Sequence, residues 1–281
     1  MFKGKTKKIM ALILALVFVF AFTGCSQKPA TEEKAPAPAE QAASSKVEEI
    51  QKKGKIVLGT SADYPPYEFH KLIDGKDEIV GFDIEIAKTI AADLGVELEI
   101  KDMKFDGLLA ALVVDDIDFI VAGMVPKEER KKSVDFSKQY YQAEQKILIR
   151  AEDQDKLKTP EDFKGLKVGA QKSTVQEEIA LTIEGAEVKS LSKITDLVLE
   201  LKNKKIDAIV LVDPVAAAYA KQNADLVVPE ISFGTEEGVA IAVNKGNEDL
   251  VEAINKTIDK LLSEGTIDKF IEEATTLAEE E

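Results

Sequence analysis

Histidine and cysteine, the side chains that most often act in catalysis and metal binding, are nearly missing from this chain. His70 is the only histidine and Cys25 the only cysteine among 281 residues. The sequence therefore has no histidine-based metal cluster, no pair of acid–base histidines and no internal disulfide. It also has no Walker-type phosphate loop and no G-x-G-x-x-G motif after a strand. We expect a binding protein with no catalytic residue, metal or cofactor, and not an enzyme.

Four loops at the ends of predicted strands carry polar and aromatic side chains that suit a ligand site. They span residues 60–69, 103–108, 122–130 and 171–176. Open α/β sheets bind ligands beyond the carboxyl ends of their strands, so we expect these loops to share one site. Consecutive prolines in the first loop restrict its backbone and hold the neighbouring aromatic rings at fixed positions.

Short apolar strands alternate with amphipathic helices from residue 55 onward. The clearest helix is Phe82–Leu94, which has one apolar face and is followed by Gly95 as a stop signal. This alternation predicts a largely parallel sheet covered by helices on both faces. The pattern pauses at residues 144–150 and starts again at 166–170, which predicts two α/β lobes joined by crossing strands.

The N-terminus has the pattern of a signal peptide. Residues 1–8 contain four lysines, residues 9–22 are almost wholly apolar, and small residues follow before Cys25. At roughly fourteen residues the apolar run is too short to span a bilayer comfortably. We therefore expect residues 1–24 to be a signal peptide. The alternative is a short N-terminal membrane anchor.

The residues around the cysteine resemble a bacterial lipobox, in which small residues precede a lipidated cysteine. They read Phe-Thr-Gly-Cys at 22–25, with Phe22 in place of the usual leucine. The resemblance implies that Cys25 is acylated and holds an extracytoplasmic protein at the cell membrane. The alternative is an exported soluble protein with a free thiol. Residues 25–46 are rich in Ala, Pro, Glu and Ser and lack aromatics, which predicts a flexible tether.

The charge of the chain excludes one class of partner. Removing residues 1–24 takes away four lysines, which leaves 33 basic against 52 acidic side chains and a formal charge of −19. Phosphates would be repelled, so the protein is not expected to bind nucleic acid. The same charge weakly favours cationic over anionic ligands.

Seven stretches resemble, in order, the amino-acid-binding family of ABC-transporter substrate-binding proteins. They are GTSADYPPYEF, GFDIEIAKTIAADLG, FDGLLAAL, DFIVAGMVPKEERKKSVDFSKQYY, GLKVGAQKSTVQEE, IDAIVLVDPVAAAYAK and EEGVAIAVNKGN. The resemblance implies the two-lobed type II periplasmic binding protein fold, each lobe a mainly parallel sheet flanked by helices. It places lobe 1 at 47–146 and 235–281 and lobe 2 at 147–234. It also implies a monomer that delivers a free amino acid to an ABC permease.

The resemblance assigns Arg130 to the α-carboxylate of the ligand. A guanidinium offers two parallel charge-assisted hydrogen bonds to a carboxylate, whereas without the motif Arg130 would count as a solvated residue in a charged run. Backbone N–H groups near Gly123 and Thr174 are expected to complete the carboxylate site. Ser173 and Thr174 stand at a predicted helix start, where plain helix capping is the other reading.

Further ligand contacts are expected from the same loops. Tyr64 and Phe105 match the positions that enclose the ligand side chain, with core packing as the alternative. Ser61, Met124 and Val125 are candidates for the same site. Val125 stands where the family often has Ser or Thr, and the lost hydroxyl removes a carboxylate hydrogen bond worth about 1.5–3 kcal/mol.

Asp213 is the candidate partner of the ligand amine. The family places an acidic residue just after the strand read here at 206–212, and gapless alignment puts Val212 there and Asp213 one position later. Asp207 is expected to support the strand. Asp63 is a candidate for a cationic ligand side chain, with an exposed loop aspartate as the alternative. The aromatic and acidic residues together favour arginine, lysine or another polar amino acid.

Two other functions fit the same resemblance. Cyclohexadienyl dehydratases share the fold and need a carboxylic acid that protonates a leaving hydroxyl. A sensory ligand-binding domain is the second alternative. In a transport receptor, a hinge near residues 144–150 and 231–237 would close the lobes on the ligand. A buried zwitterion needs opposite charges at both ends, because an unpaired buried charge costs several kcal/mol.

Overall fold

The computed structural model describes residues 45–235 and 237–280. The predicted signal peptide, the lipidation site Cys25 and nearly all of the predicted tether lie outside these residues. Within the described range, no helix has both the length and the apolar character that crossing a bilayer requires. Lys46, the last residue of the predicted tether, is the first residue of a helix.

Two five-stranded sheets form the centre of the described chain. The first has the order β5 (Glu97–Asp102), β1 (Lys55–Thr60), β6 (Phe119–Ile120), β13 (Val239–Asn244) and β7 (Val134–Tyr141). The second has the order β10 (Glu187–Leu191), β9 (Lys167–Gln171), β11 (Ala208–Val212), β8 (Gln145–Arg150) and β12 (Leu226–Val227). In each sheet one strand, β13 or β8, runs against both of its neighbours, and the other four strands share a direction.

Helices flank both sheets. Those associated with the first sheet are α1 (Lys46–Lys53), α2 (Phe82–Leu94), α3 (Leu108–Val113), α4 (Glu128–Lys131), α8 (Glu248–Ser263) and α9 (Thr266–Glu279). Those associated with the second are α5 (Val175–Thr182), α6 (Ile194–Lys202) and α7 (Asp213–Gln222). We call the first sheet with its helices lobe 1 and the second lobe 2. The predicted α/β class with two lobes is confirmed.

A three-stranded antiparallel sheet was not predicted. It consists of β2 (Asp63–Tyr64), β3 (Glu68–Ile73) and β4 (Lys76–Val80). Between β3 and β4, Asp74 and Gly75 form a two-residue turn with positive φ angles of 51° and 77°. An Asp-Gly pair is a strong local signal for such a hairpin. This hairpin places the start of β3 beside the ends of the lobe 1 strands.

Two segments run between the lobes side by side. Glu144 and Thr235 form an antiparallel bridge. The Gln145 N–H donates to the Gly234 carbonyl at 2.7 Å, and the Phe233 N–H donates to the Gln145 carbonyl at 2.9 Å. These contacts lie at the crossing expected from the sequence. The movement of the lobes about it stays a prediction.

A cluster of aromatic rings joins the turn before β3 to α2 and β7. The ring centroids of Tyr67 and Phe82 are 4.4 Å apart, and that of Tyr141 lies 5.7 Å from Tyr67 and 5.4 Å from Phe82. These separations are those of favourable aromatic pairs. Tyr64 packs on the same cluster, with its centroid 5.2 Å from that of Tyr67. The cluster therefore fixes the position of the Tyr64 ring.

Gly81 lets the hairpin approach the start of α2. Its φ angle is 127°, and a Cβ at this position would lie 2.1 Å from the Tyr67 carbonyl oxygen. The next two N–H groups, those of Phe82 and Asp83, donate to the carbonyls of Pro66 and Tyr67 at 3.1 and 2.9 Å. A residue with a side chain would have to separate these backbones.

We expect Gly81→Ala to lower the free energy of unfolding by about 2 kcal/mol or more, because both the φ angle and the contact with Tyr67 become unfavourable. Urea unfolding followed by circular dichroism measures the change. The control is Gly75→Ala, which also has positive φ but open space around its Cβ and is expected to cost about 1 kcal/mol. Equal losses in the two variants would contradict the close-approach argument.

Candidate functional site

A chamber lies between the lobes, beyond the carboxyl ends of the parallel strands, as the loop positions predicted. Its free volume is about 10 Å³, room for about one water molecule, so the lobes are closed on each other. Seven predicted site residues line it: Ser61, Tyr64, Phe105, Gly123, Val125, Arg130 and Thr174. Five further lining residues were not predicted as ligand contacts: Glu68, Ala122, Gln171, Val175 and Gln176.

Arg130, on α4, is buried in this chamber with 7% of its surface exposed. Its Nη1 donates to the Val125 carbonyl and its Nη2 to the Ser173 carbonyl, both at 2.7 Å. The guanidinium lies 5.5 Å from the centroid of the Phe105 ring. Burial lowers its pKa to about 10, so it stays charged at neutral pH. The bond to Ser173 joins the two lobes.

No carboxylate of the described residues lies within ion-pair distance of the Arg130 guanidinium. A guanidinium has five N–H donors, so several remain after the two bonds to carbonyls. Burying a cation is costly unless an anion and hydrogen bonds compensate it. The arrangement is therefore suited to an anionic group, and a carboxylate matches the guanidinium geometry.

Thr174 and Ser173 hold the start of α5. The Thr174 hydroxyl accepts a hydrogen bond from the Glu177 N–H at 3.2 Å and donates to the Gln171 carbonyl at 2.6 Å. Thr174 is therefore the helix cap and a lining residue at once. Ser173 is exposed and outside the chamber lining, with a φ angle of 67°, and its N–H donates to the Glu177 carboxylate at 2.7 Å. Ser173 reaches the site only through its carbonyl.

An acidic side chain, Glu68, lines the same chamber as Arg130 and is 1% exposed. Within the described chain, its Oε2 has no hydrogen-bond partner. Burial, with the nearby carboxyls of Asp83 and Asp63, raises the pKa of Glu68 well above its ordinary value. These surroundings favour the neutral form of Glu68, and a cation beside it would favour the charged form.

Asp83, the second residue of α2, is fully buried beside Glu68. Its carboxylate accepts hydrogen bonds from the Gly123 N–H and the Tyr140 hydroxyl, both at 2.8 Å. Burial raises the pKa of Asp83 to about 7, although both hydrogen bonds act in the opposite direction. The Gly123 N–H, expected to bind the ligand carboxylate, is thus engaged by a protein carboxylate instead.

Besides Ser173, three predicted residues lie outside the chamber lining. Met124 is fully buried in the apolar core of lobe 1. Asp63 accepts a hydrogen bond from the Ile194 N–H at 2.7 Å, which reaches it from lobe 2. Asp213, the expected partner of the amine, is exposed because α7 starts there and turns away from the chamber. Asp207 supports the sheet as predicted, since its carboxylate accepts from the Lys167 N–H at 3.0 Å.

Glu68 and Gln176 are the main polar residues that sequence reasoning missed. Glu68 was within the first flagged loop, but only the hairpin at β3 turns it into the chamber. Gln176 is buried, and its side-chain amide donates to the Gln145 side chain at 3.0 Å, at the crossing between the lobes. The Asp-Gly pair at 74–75 signals the hairpin, but no pattern in the sequence signals which of its side chains enters the chamber, and none signals the contact of Gln176.

Comparisons with known proteins agree with this geometry. The sequence profile described as "Bacterial extracellular solute-binding proteins, family 3" matches residues 56–275. The chain is 35% identical over 270 residues to the "Arginine-binding extracellular protein ArtP" of Bacillus subtilis (strain 168), which covers 94% of this chain and 96% of that protein. It is 33% identical over 270 residues to the "ABC transporter glutamine-binding protein GlnH" of the same strain, with the same two coverages.

A solved structure is also similar. It is that of the substrate-binding protein AbpA of an amino acid ABC transporter from Streptococcus pneumoniae Canada MDR_19A, bound to L-arginine. The TM-score is 0.80 at 38% sequence identity, and the match covers 83% of this chain and all of that one. The family and the type II periplasmic binding protein fold inferred from the seven stretches are both confirmed.

The raised pKa of Asp83 gives a prediction for stability. Its folded-state pKa of about 7 lies above its ordinary value of 3.8, so the stability that it contributes is complete below 3.8 and lost as pH rises through 7. We expect the free energy of unfolding, measured in urea, to fall by about 2 kcal/mol between pH 5 and pH 8.

The variant Asp83→Asn should reduce this dependence, because one of the buried titrating groups is gone. The raised pKa values of Asp63 and Glu68 leave a smaller slope in the same direction. Asp259→Asn, which removes an exposed carboxylate paired with Lys138, serves as the control and should keep the wild-type slope. A wild-type slope in Asp83→Asn would show that Asp83 is not the titrating group.

Proposed function

The chain belongs to the bacterial extracellular solute-binding proteins, family 3, and we propose that its ligand is a free basic amino acid, with L-arginine preferred. It is the amino-acid-binding component of an ABC transporter and acts outside the cytoplasm. One observation carries the choice of ligand. Among the residues described, the closed chamber contains a guanidinium with no carboxylate within ion-pair distance and a buried carboxyl, Glu68, with one oxygen that has no hydrogen-bond partner.

The ligand carboxylate is assigned to Arg130. Two parallel N–H groups of the guanidinium match the two carboxylate oxygens, and the ion pair compensates the burial of both charges. Phe105 lies against the guanidinium and keeps water from it. Val125 adds no hydroxyl, so the carboxylate depends more strongly on Arg130 than in relatives with a polar residue at this position.

We assign the positively charged side chain of the ligand to Glu68, which is supported by Asp83. A guanidinium or ammonium beside Glu68 would lower the pKa of its carboxyl and drive off the proton, since opposite charges favour ionisation. The Tyr64 ring, fixed by its contact with Tyr67, adds an aromatic face on which a guanidinium stacks well. Glutamine, which carries no side-chain charge, would gain less from Glu68.

The boundaries and the anchor are part of the proposal. Residues 1–24 act as the signal peptide, Cys25 carries lipid, and residues 25–46 tether a monomeric domain to the cell membrane. Lobe 1 takes residues 47–146 and 235–281, and lobe 2 takes 147–234. Support comes from the charged, apolar and small-residue order of the N-terminus and from the two separate sheets. The lobes open and close about the paired segments at Gln145 and Gly234.

A second candidate is a dehydratase of the cyclohexadienyl type, favoured by the neutral, buried carboxyl of Glu68 in the chamber. Such an acid is what protonation of a leaving hydroxyl requires. Incubation with prephenate and with arogenate tests this candidate. Turnover of either compound would establish an enzyme, and tight arginine binding without turnover would support the receptor.

Arg130→Ala is expected to weaken L-arginine binding by at least about 100-fold, because it removes two charge-assisted hydrogen bonds. Arg130→Lys should recover only part of this loss, since an ammonium cannot form the parallel pair. Isothermal titration calorimetry against the twenty amino acids measures both. The exposed neighbour Lys131, replaced by alanine, is the matched control and should bind as the wild type does. Unchanged affinity in Arg130→Ala would remove the basis of the carboxylate assignment.

Glu68→Gln tests the cationic end of the ligand. We expect arginine affinity to fall about tenfold or more, because a charged hydrogen bond becomes a neutral one, while glutamine affinity changes less than about threefold. The same calorimetry applies. Glu128→Gln removes a similar charge from an exposed position and should change neither affinity. Equal losses for arginine and glutamine would show that Glu68 does not select the ligand charge.

A further inference from the structure

Among the described residues, several polar contacts connect the two lobes, and they differ in kind. Lys127 pairs with Glu178 at 2.6 Å, and Lys172 pairs with Asp106 at 3.2 Å. In each pair at least one side chain is more than half exposed, and such pairs contribute little to stability. The contacts of Asp63 are different, because they bury a carboxylate at a helix start.

Asp63 makes two bonds across the cleft, to two different helices of lobe 2. Its Oδ2 accepts from the backbone N–H of Ile194, the first residue of α6, at 2.7 Å. Its backbone carbonyl accepts from the hydroxyl of Tyr219, on α7, at 2.7 Å. The Ser61 hydroxyl donates to its Oδ1 at 3.3 Å within lobe 1. The side chain of Lys193, at the N-cap position of α6, makes no capping hydrogen bond. The Asp63 carboxylate, which belongs to the other lobe, takes the role of the cap.

We propose that Asp63 is a positioning residue, an interlobe latch that holds lobe 2 closed on lobe 1 and thereby sets how slowly the ligand leaves. Both bonds exist only while the lobes are together, since their partners lie on different lobes. An open lobe 2 would leave the Ile194 N–H to water. The latch rests on the proposed function only where its test measures the dissociation of L-arginine.

Charged and titratable groups of α6, α7, β3 and β5 surround the Asp63 carboxylate. Lys193 at α6 attracts the carboxylate, whereas Asp102 at the end of β5 and Glu68 on β3 repel it. His70 on β3 is bonded to Asp102 at 3.3 Å, and the pKa of Tyr219 on α7 is raised well above its ordinary range. Burial is the largest effect and raises the pKa of Asp63 to about 6 in the closed form. Closing therefore favours proton uptake, and the closed form gains stability from this group as pH falls below 6.

The test compares Asp63→Ala with Asp63→Asn by stopped-flow dissociation of L-arginine. The latch predicts that Asp63→Ala dissociates at least about tenfold faster with association changed less than about threefold, because only the closed form is weakened. Asp63→Asn keeps an acceptor for Ile194 and should stay within about threefold of the wild type at pH 7.5. The wild type should release arginine more slowly at pH 5 than at pH 7.5. This ratio of dissociation rates should be smaller in Asp63→Asn, which has no carboxylate to titrate.

Lys172→Gln, which removes an exposed pair between the lobes, is the control and should change dissociation less than about threefold. Wild-type dissociation in Asp63→Ala would overturn the latch. So would an equal loss of association in the alanine and asparagine variants, which would make Asp63 a ligand contact.

A second readout needs no ligand. Hydrogen–deuterium exchange of the peptide containing Ile194 should be faster in Asp63→Ala than in the wild type, and unchanged in Asp63→Asn and Lys172→Gln. Unchanged exchange in Asp63→Ala would also overturn the latch. Failure of the wild type to bind any amino acid would instead reject the proposed function, and the exchange result would still decide on the latch.

Discussion

The burial of Arg130 between two lobes is the constraint on which the site depends. Its guanidinium keeps its charge although burial lowers its pKa to about 10, and its bonds within the described chain go to neutral carbonyls. Carbonyl dipoles compensate only part of the lost hydration of a cation. In the proposed complex, the carboxylate of the ligand would complete the compensation. One of the two carbonyls, that of Ser173, belongs to lobe 2. Closing the lobes therefore supplies part of the hydrogen bonding that replaces the lost hydration of Arg130.

The negative side of the chamber is built in a different way. Glu68 and Asp83 are buried next to each other, and burial raises the pKa of both carboxyls. Asp83 raises the pKa of Glu68 further, whereas the contact with Glu68 lowers that of Asp83. The Tyr140 hydroxyl and the Gly123 N–H hold Asp83 in place and leave Glu68 as the adjustable group. The positive charge of Arg130 is thus present at neutral pH, whereas the surroundings of Glu68 disfavour its negative charge. In the proposed complex, a cationic side chain of the ligand would favour the charged form of Glu68.

The sequence predicted the fold and the Arg130 end of the site more fully than the Glu68 end. Alternating strands and helices, with a pause at the crossing, were enough for two lobes, and the motif around Arg130 was enough for its burial. The direction of Glu68 depends on the hairpin of β3 and β4, and the Asp-Gly turn in the sequence signals this hairpin without showing which side chain faces the chamber. Asp213 was chosen from its position along the chain, but a strand end followed directly by a helix turns that residue outward. Linear spacing does not encode such directions.

Closure is a balance between contacts with the ligand and contacts between the lobes. A receptor held shut by its own contacts would bind slowly, and one without them would release its ligand quickly, because only the difference between the open and closed states matters. Asp63 satisfies both limits. Its bond to Ile194 favours the closed form, while the burial that raises its pKa to about 6 opposes closure at neutral pH, where the carboxylate is charged. The two effects partly cancel, so the contact between the lobes stays weak enough for the contacts that we propose between the ligand and Arg130 and Glu68 to decide the outcome.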